Sequence, residues 1–448
     1  MAKPTPLSGF PELLPAQRHV EQEVVATLAR TFELHGFANI ETRAVEPMDQ
    51  LLRKGDTSKE VYVLRRLHEE GSKDAGIGLH FDLTVPFARY VLENAGKLEF
   101  PFRRYQVQKV WRGERPQEGR FREFTQADID IVGRDTLPFH HDVEVARVML
   151  EALSRLTFLP GFRLQVNNRK LIQGFYAGLG IDGDGIDEVM RLVDKLDKLD
   201  PAKVRELLLT EAGIGEDQAD KALALATIRS ADDSFVAQVR ALGVEHELLD
   251  EGLDELATLV RACAPLATAT TRVEADLSIA RGLDYYTGTV FETRLDGFES
   301  LGSICSGGRY DALATDGRTT YPGVGISLGV SRVLVPLVQR GVLTADRSVP
   351  SVVLVAVTDE ETRSEADAIA AALRGNDIPC EVAPSAAKFG KQIRHAERRG
   401  IPYVWFGGEV KDIRSGNQVA ADPATWQPPH QDLRPQVVTT TTSEGETP

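Results

Sequence analysis

Between about Lys170 and Pro265 the chain reads as nearly continuous helix, with Ile186, Val189, Met190, Val193 and Leu196 on one stripe. The segments on either side read largely as strands, and the strand-rich texture resumes only after Arg272. A sheet interrupted in this way has to be assembled from strands far apart in sequence, with the helical run as an insertion. Asp200-Pro201 marks a helix start within that run, since an aspartate N-cap satisfies an orphan amide and proline at the first helical position lacks one.

Upstream, Val20, Val24, Val25, Leu28 and Phe32 recur at helical spacing and predict a helix from Pro15 to about Phe37, closing near Gly36. Glu60–Leu64 and Leu79–Leu83 alternate in character and read as strands. Arg103–Val110 and Thr125–Val132 read as antiparallel neighbours across a polar loop, and His141–Leu156 returns to helical spacing. From Ser351 the pattern is strand, helix, strand, helix, strand, ending at Pro402–Phe406, which implies a small separate α/β domain with a parallel or mixed sheet. Beyond about Pro423 the chain turns to Pro, Gln and Thr and is expected to be disordered.

A chain of 448 residues with 42% hydrophobic and 27% charged residues suits a soluble enzyme of several domains. It has no run of eighteen apolar residues, and Met1-Ala-Lys-Pro-Thr-Pro lacks the apolar stretch of a secretory signal, so a cytoplasmic protein without a membrane partner is expected. Cys263, Cys305 and Cys380 are odd in number and far apart, which argues for reduced core thiols rather than disulfides or a zinc site. Nine scattered histidines, the His140-His141 pair among them, read as helix-start and surface residues, and no dedicated metal cluster is visible. The net charge of −15 speaks against a broad nucleic-acid surface. Even so, Arg112, Arg115, Arg120 and Arg122 fall close together, and charges beyond a Debye length of roughly 8 Å are screened, so a positive pocket can exist on an acidic protein.

Three polar segments stand out: the arginine-rich Trp111–Phe124, Arg281-Gly-Leu-Asp-Tyr-Tyr-Thr-Gly288, and Ser306-Gly-Gly-Arg-Tyr-Asp311. Arginine, carboxylate and phenols beside glycines suit an anionic ligand with a polar tail, which places the three at one site. Arg281–Glu292 and Gly307–Asp311 resemble the two histidine signatures of the histidyl-tRNA synthetases, Phe81–Tyr90 matches that family as well, and Arg112–Phe124 and Gly323–Arg332 resemble class II motifs 2 and 3. The resemblance runs to about Ala421. It implies an α+β fold, a class II antiparallel-sheet catalytic core with a helical insertion, plus a C-terminal α/β anticodon-binding domain. The implied limits are 1–169 and 268–347 for the two parts of the core, 170–267 for the insertion, 348–425 for the anticodon-binding domain and 426–448 for a disordered tail.

The resemblance further implies ATP-dependent activation of L-histidine and its transfer to the 3' end of tRNA-His, by a homodimer. Attack of a carboxylate on the α-phosphate needs positioning and charge neutralisation more than acid or base, and arginine grips phosphate and carboxylate bidentately. By the same resemblance Arg112 and Arg281 are catalytic, flanking the α-phosphate and the histidine carboxylate. Arg332, aided by Arg120, holds the γ-phosphate, Glu114 meets the adenine side and Phe124 stacks on the ring. Asp82 and Thr84 face the amino group, with Leu83 between them and Gln126 beside. Asp130 and Tyr286 read the imidazole nitrogens, and Tyr285 completes the wall. Arg115 and Gln117 are candidates for the tRNA acceptor end, and Lys391, Arg394 and Arg398, on one face of a helix, for the anticodon side. Mg²⁺ is expected to be held mainly through ATP phosphates.

Two positions depart from the family pattern. His80 stands where an arginine is usual, and Arg43 where motif 1 has its proline, which weakens the sequence support for a dimer. A histidine-sensing regulatory relative of the ATP phosphoribosyltransferase type, or an RNA-binding relative without activation activity, is the alternative reading. The first should lack the last domain and erode motif 2 or 3, and neither has happened here.

Overall fold

The computed structural model describes residues 4–52, 60–67, 76–279 and 286–440. It divides into two compact units, the described parts of Met1–Pro11 with Val25–Val335, and of Glu12–Val24 with Pro336–Pro448. Helix α1 (Pro15–Leu34) fills the span predicted for it.

Among the described residues of the first unit, nine strands form one sheet. In chain order they are β1 (Ala38–Asn39), β4 (Phe102–Trp111), β5 (Glu123–Val132), β6 (Phe162–Asn168), β7 (Arg229–Ser230), β8 (Thr271–Asp276), β9 (Thr289–Leu295), β10 (Cys305–Tyr310) and β11 (Gly323–Gly329), while β2 (Val45–Pro47) and β3 (Ile77–Leu79) make a separate pair. The spatial order is β1-β4-β5-β11-β10-β9-β6-β8-β7. Only β1 with β4 and β6 with β8 run parallel. The polar loop does join an antiparallel pair, β4 and β5, with Trp111 opposite Glu123 at its mouth.

Register turns the alternation of these strands into two chemically different faces. Gln106 on β4 stands opposite Asp128, Asp128 opposite Ser327, Ser327 opposite Ser306, Ser306 opposite Glu292, and Glu292 opposite Gln165. A single polar row therefore crosses six strands. One residue along, Tyr105, Ile129, Ile326, Gly307, Phe291 and Val166 form the matching apolar row on the other face. Helix α4 (His140–Ser154) belongs to the apolar side: its Asp142 pairs with the buried Arg309 of β10 at 2.6 Å.

The insertion supplies α5 (Arg169–Gly178), α6 (Gly183–Val193), α7 (Pro201–Thr210), α8 (Glu216–Ala226), α9 (Phe235–Arg240) and α10 (Glu247–Cys263). Asp200 caps α7 through Ala202 N–H, with Pro201 first in the helix, as the sequence predicts.

Three expectations change in the first unit. Leu79–Leu83 is not a strand, since β3 stops at Leu79. Asp82 then accepts Val85 N–H at 3.0 Å at the start of α3 (Thr84–Asn94), and Pro86 sits in the first turn of that helix, where proline is tolerated. In Glu60–Leu64 only Val63 makes a bridge, to Gly78. His141 is buried rather than on the surface, its Nδ1 3.0 Å from Glu144. A short helix, α2 (Met48–Leu51), completes this part of the chain.

In the second unit β13 (Val353–Val355) lies between β14 (Cys380–Val382) and β15 (Tyr403–Phe406), all parallel, and β16 (Glu409–Asp412) and β17 (Gln418–Ala420) continue the sheet antiparallel. Helices α12 (Arg363–Gly375) and α13 (Phe389–Arg399) are the crossovers. Helix α11 (Val330–Gln339) leads in from β11. Residues 426–440 are ordered rather than a disordered tail. Trp426 packs edge-on against Trp405 and Tyr403, Asp432 accepts Tyr403 Oη–H at 2.7 Å, and β18 (Val437–Thr439) pairs with β12 (Leu343–Ala345). The Pro, Gln and Thr composition conceals these few anchoring side chains. Residues 441–448 lie outside the described ones.

Candidate active site

The polar face of the first unit carries two adjoining cavities. The larger, about 240 Å³, is lined by Arg112, Glu114 and Arg120 from the β4–β5 loop and Phe124 from β5, by Ser303 and Ile304, and by Gly329 and Arg332 at the β11–α11 junction. The narrower, about 70 Å³, is lined by Asp82, Thr84, Asp128, Asp130, Tyr286 and Tyr310 among others. Arg112, Gln126, Ser306 and Ser327 line both, so they form the passage between the two.

Three guanidinium groups set the electrostatics of the larger cavity. Arg112 donates through Nε to the Phe81 carbonyl at 3.0 Å and lies 5.2 Å over the Phe124 ring, which fixes its plane. Glu114 is 3.9 Å from Arg112 and 3.7 Å from Arg120, one carboxylate between two cations. Arg332 is anchored by the Gly119 and Ser303 carbonyls at 3.1 and 2.6 Å. Burial, and then Arg120 and Arg112, bring its guanidinium down to about 10. Such a crowded, under-compensated set of cations is what a polyanion would relieve.

The narrower cavity is carboxylate-rich. Asp130 accepts Tyr310 Oη–H at 2.7 Å and pairs with the fully buried Arg104 at 2.6 Å. Gln126 donates to Ser327 Oγ, which donates to Asp128. Burial pushes the Asp128 carboxyl up to about 7, with Arg104 pulling it back and Asp130 raising it again. Glycine is required opposite: a Cβ on Gly325 would meet Asp130 Oδ1 at 2.1 Å, and one on Gly308 would meet the Tyr286 ring at 2.7 Å.

Of the residues singled out from sequence, Arg112, Glu114, Arg120, Phe124 and Arg332 share the larger cavity, and Asp82, Thr84, Gln126, Asp130 and Tyr286 line the narrower one. The side chain of Leu83 is fully buried, and its carbonyl accepts from Arg104. Arg281 and Tyr285 lie outside the described residues. Arg115 is exposed, as is Gln117, which turns the loop against Arg120. Lys391, Arg394 and Arg398 are exposed along α13 in the second unit. His80 lines neither cavity: it is fully buried, its Nε2 2.7 Å from the Lys109 carbonyl and its ring 5.5 Å from Trp111, and burial lowers its pKa, so it serves packing. Arg43 pairs with Glu46 at 3.3 Å. The segment Ser306–Asp311 contributes Ser306 and Tyr310 to the narrower cavity, whereas sequence reasoning missed Asp128, Ser327 and Arg104. The alternation Asp128-Ile-Asp130 could have found the first.

Among the described residues no group of three or more His, Cys, Asp or Glu is arranged to hold a metal ion, and no helix is long and apolar enough to cross a membrane. Comparison with known proteins gives a consistent picture. The family model for histidyl-tRNA synthetase matches residues 9–333, and that for an anticodon binding domain matches residues 351–420. The histidine–tRNA ligase of Cutibacterium acnes is 60% identical over 458 residues, 98% of this chain and 100% of the relative, and that of Micrococcus luteus is 58% identical, over 98% and 99%. The crystal structure of histidyl-tRNA synthetase from Nostoc sp. PCC 7120 superposes with a TM-score of 0.83 at 34% identity, covering 95% of this chain and 98% of that one. With the fold matched and nearly the full length covered, the chain belongs to the histidyl-tRNA synthetase family.

Proposed function

We infer that the protein is a histidine–tRNA ligase: it activates L-histidine with ATP and transfers the histidyl group to tRNA, releasing diphosphate and then AMP. The observation that carries this reading is the junction of the two cavities at Arg112, a cationic chamber on one side and a carboxylate-lined one on the other. A histidine carboxylate oxygen attacks the α-phosphorus, forming the acyl phosphate bond as the bond to diphosphate breaks. A hydroxyl at the 3' end of the tRNA then attacks the carbonyl carbon and AMP departs.

In this reading Arg112, with Arg281, neutralises the α-phosphate and the carboxylate together, and Arg120 and Arg332 take the outer phosphates. Phe124 offers its ring to adenine and Glu114 the adjoining polar contact. Asp82, Thr84 and Gln126 hold the ammonium group, Leu83 backs them, and Asp130 and Tyr286 pair with the imidazole, with Tyr285 beside them. A site that pairs every polar atom of its ligand rejects analogues that leave those atoms unmatched. Mg²⁺ fits as an ion carried by the ATP phosphates, because arginines dominate the chamber and Glu114 is the carboxylate within it; it adds charge neutralisation at the phosphates. Arg115 and Gln117 are read as acceptor-end contacts, and Lys391, Arg394 and Arg398 as contacts of the anticodon-binding domain, taken as 348–425. The insertion is read as 170–267, between core segments 1–169 and 268–347. A homodimer in the cytoplasm completes the proposal.

Histidine-dependent exchange of pyrophosphate into ATP tests the reading on purified protein. Exchange that starts only when histidine is added is the expected result, and exchange indifferent to histidine would sink it.

A further inference from the structure

Arg104 is wholly enclosed, and enclosing a guanidinium group is costly unless partners take up its charge and protons. It has them. One Nη2 lies 2.6 Å from Asp130 Oδ2 and 4.0 Å from Asp128 Oδ2, and it also donates to the Leu83 carbonyl at 3.4 Å. Nη1 donates to Gln106 Oε1, and the guanidinium plane lies 4.4 Å over the Phe87 ring. Arg104 itself lines neither cavity. Its two carboxyls do, standing two residues apart on one face of β5, and they are held unequally. Asp130 has the closer guanidinium contact and the Tyr310 hydroxyl, whereas Asp128 has the Ser327 hydroxyl and the longer approach to Arg104.

Two carboxyls in one low-dielectric pocket do not ionise alike, and the one nearer the cation keeps its charge. We propose that Arg104, which lines neither cavity, is the positioning residue of the imidazole pocket: through its closer contact it holds and aims Asp130 as the acceptor, while Asp128 is the more loosely held of the two carboxyls. The proposal rests on the reading of the narrower cavity as the histidine site. Asp128 is the group that titrates. Around it are Arg104 from β4, Arg112 from the loop after β4, Asp82 from the turn before α3 and Asp130 on its own strand. Tyr310 shares its pocket from β10 and Tyr286 from the segment before β9, Cys305 lies on the opposite face of β10, and β11 brings the Ser327 hydroxyl. When Asp128 loses its proton it competes for Arg104, and the hold on Asp130 loosens.

Histidine-dependent pyrophosphate exchange on the full chain, with histidine and ATP varied separately, tests this. Arg104→Met is expected to raise KM for histidine by about tenfold or more while KM for ATP stays within about twofold, since an uncompensated pair of carboxyls retains a proton. Adding Asp128→Asn removes the like charge beside Asp130 and should recover part of that loss. If Arg104 merely props β4 against Phe87, both KM values rise together and Asp128→Asn restores nothing, which overturns the proposal. Should Arg104→Met fail to give a cooperative melting transition, Asp128→Asn alone decides. KM for histidine in the unaltered protein should rise as pH passes about 7, and the variant should lose that rise; a rise that persists in the variant overturns the proposal. Asp130→Asn separates the two layers of inference. If it leaves KM for histidine unchanged, the assignment of the cavity is at fault, not the role of Arg104.

Discussion

At the scale of single residues, Asp128 carries a charge at odds with its surroundings. An unfolded aspartate titrates at about 3.9, whereas burial places this one at about 7. The folded state therefore holds a proton that the unfolded state has lost between those values. Folding stability from this group is fully present below the unfolded value, declines as pH rises towards 7, and is flat above it. Asparagine at 128 keeps the shape and can still accept from Ser327, but it has no charge to bury. Asp128→Asn should therefore raise Tm relative to the unaltered protein by more at pH 8 than at pH 5. Differential scanning calorimetry at the two pH values checks this, and an equal Tm difference at both would show that Asp128 is not a buried acid. The same residue marks what sequence reading missed. Asp130 was legible because a matched motif and its alternating strand pointed to the pocket. Asp128 shares that face, yet its weight comes from Arg104 on another strand, and no local pattern reports a cross-strand cation.

At the scale of elements, long regular segments were legible and close approaches were not. Helix α1, the β4–β5 pair, α4 and the strand–helix alternation after Ser351 carry strong periodicity and appear where periodicity places them. Leu79–Leu83 alternates over too few residues to outweigh a helix start at Thr84, and the ordering of 426–440 depends on Trp426 and Asp432 docking on Tyr403 and Trp405, partners more than twenty residues away. The packing of α5 on α10 is a further contact invisible in sequence. A Cβ on Gly174 of α5 would sit 2.1 Å from Leu249 N, and one on Gly252 of α10 would sit 2.2 Å from Leu171 N. The two backbones touch reciprocally, so these glycines are needed for space rather than for unusual dihedrals. Gly252→Ala gains helix propensity yet must push the helices apart, and overpacking of this kind costs about 1–3 kcal/mol. Denaturant unfolding should show the midpoint falling; a midpoint that rises would mean the helices have room to separate.

At the scale of the whole molecule, a chain with a net charge of −15 has to bind two polyanions, ATP and tRNA, and it solves the two problems differently. The proposed ATP contacts form a concave cluster, Arg112, Arg120 and Arg332, whose charges are partly withdrawn from solvent and hence weakly screened by salt. The proposed tRNA contacts at Lys391, Arg394 and Arg398 are exposed, on one face of α13, where interaction with phosphate is fully subject to counterion release. The two activities should therefore separate. Replacing all three residues by glutamine is expected to leave histidine-dependent pyrophosphate exchange intact and to raise KM for tRNA by about tenfold or more, because each phosphate contact contributes about 0.7–0.9 to the slope of log affinity against log salt. The slope for tRNA charging should become shallower by about 2 in the triple variant. Aminoacylation titrated against potassium chloride, alongside the exchange assay, measures both. An unchanged slope would remove α13 from the tRNA surface, and a parallel loss of exchange would mean that the substitutions damage the fold rather than the contact.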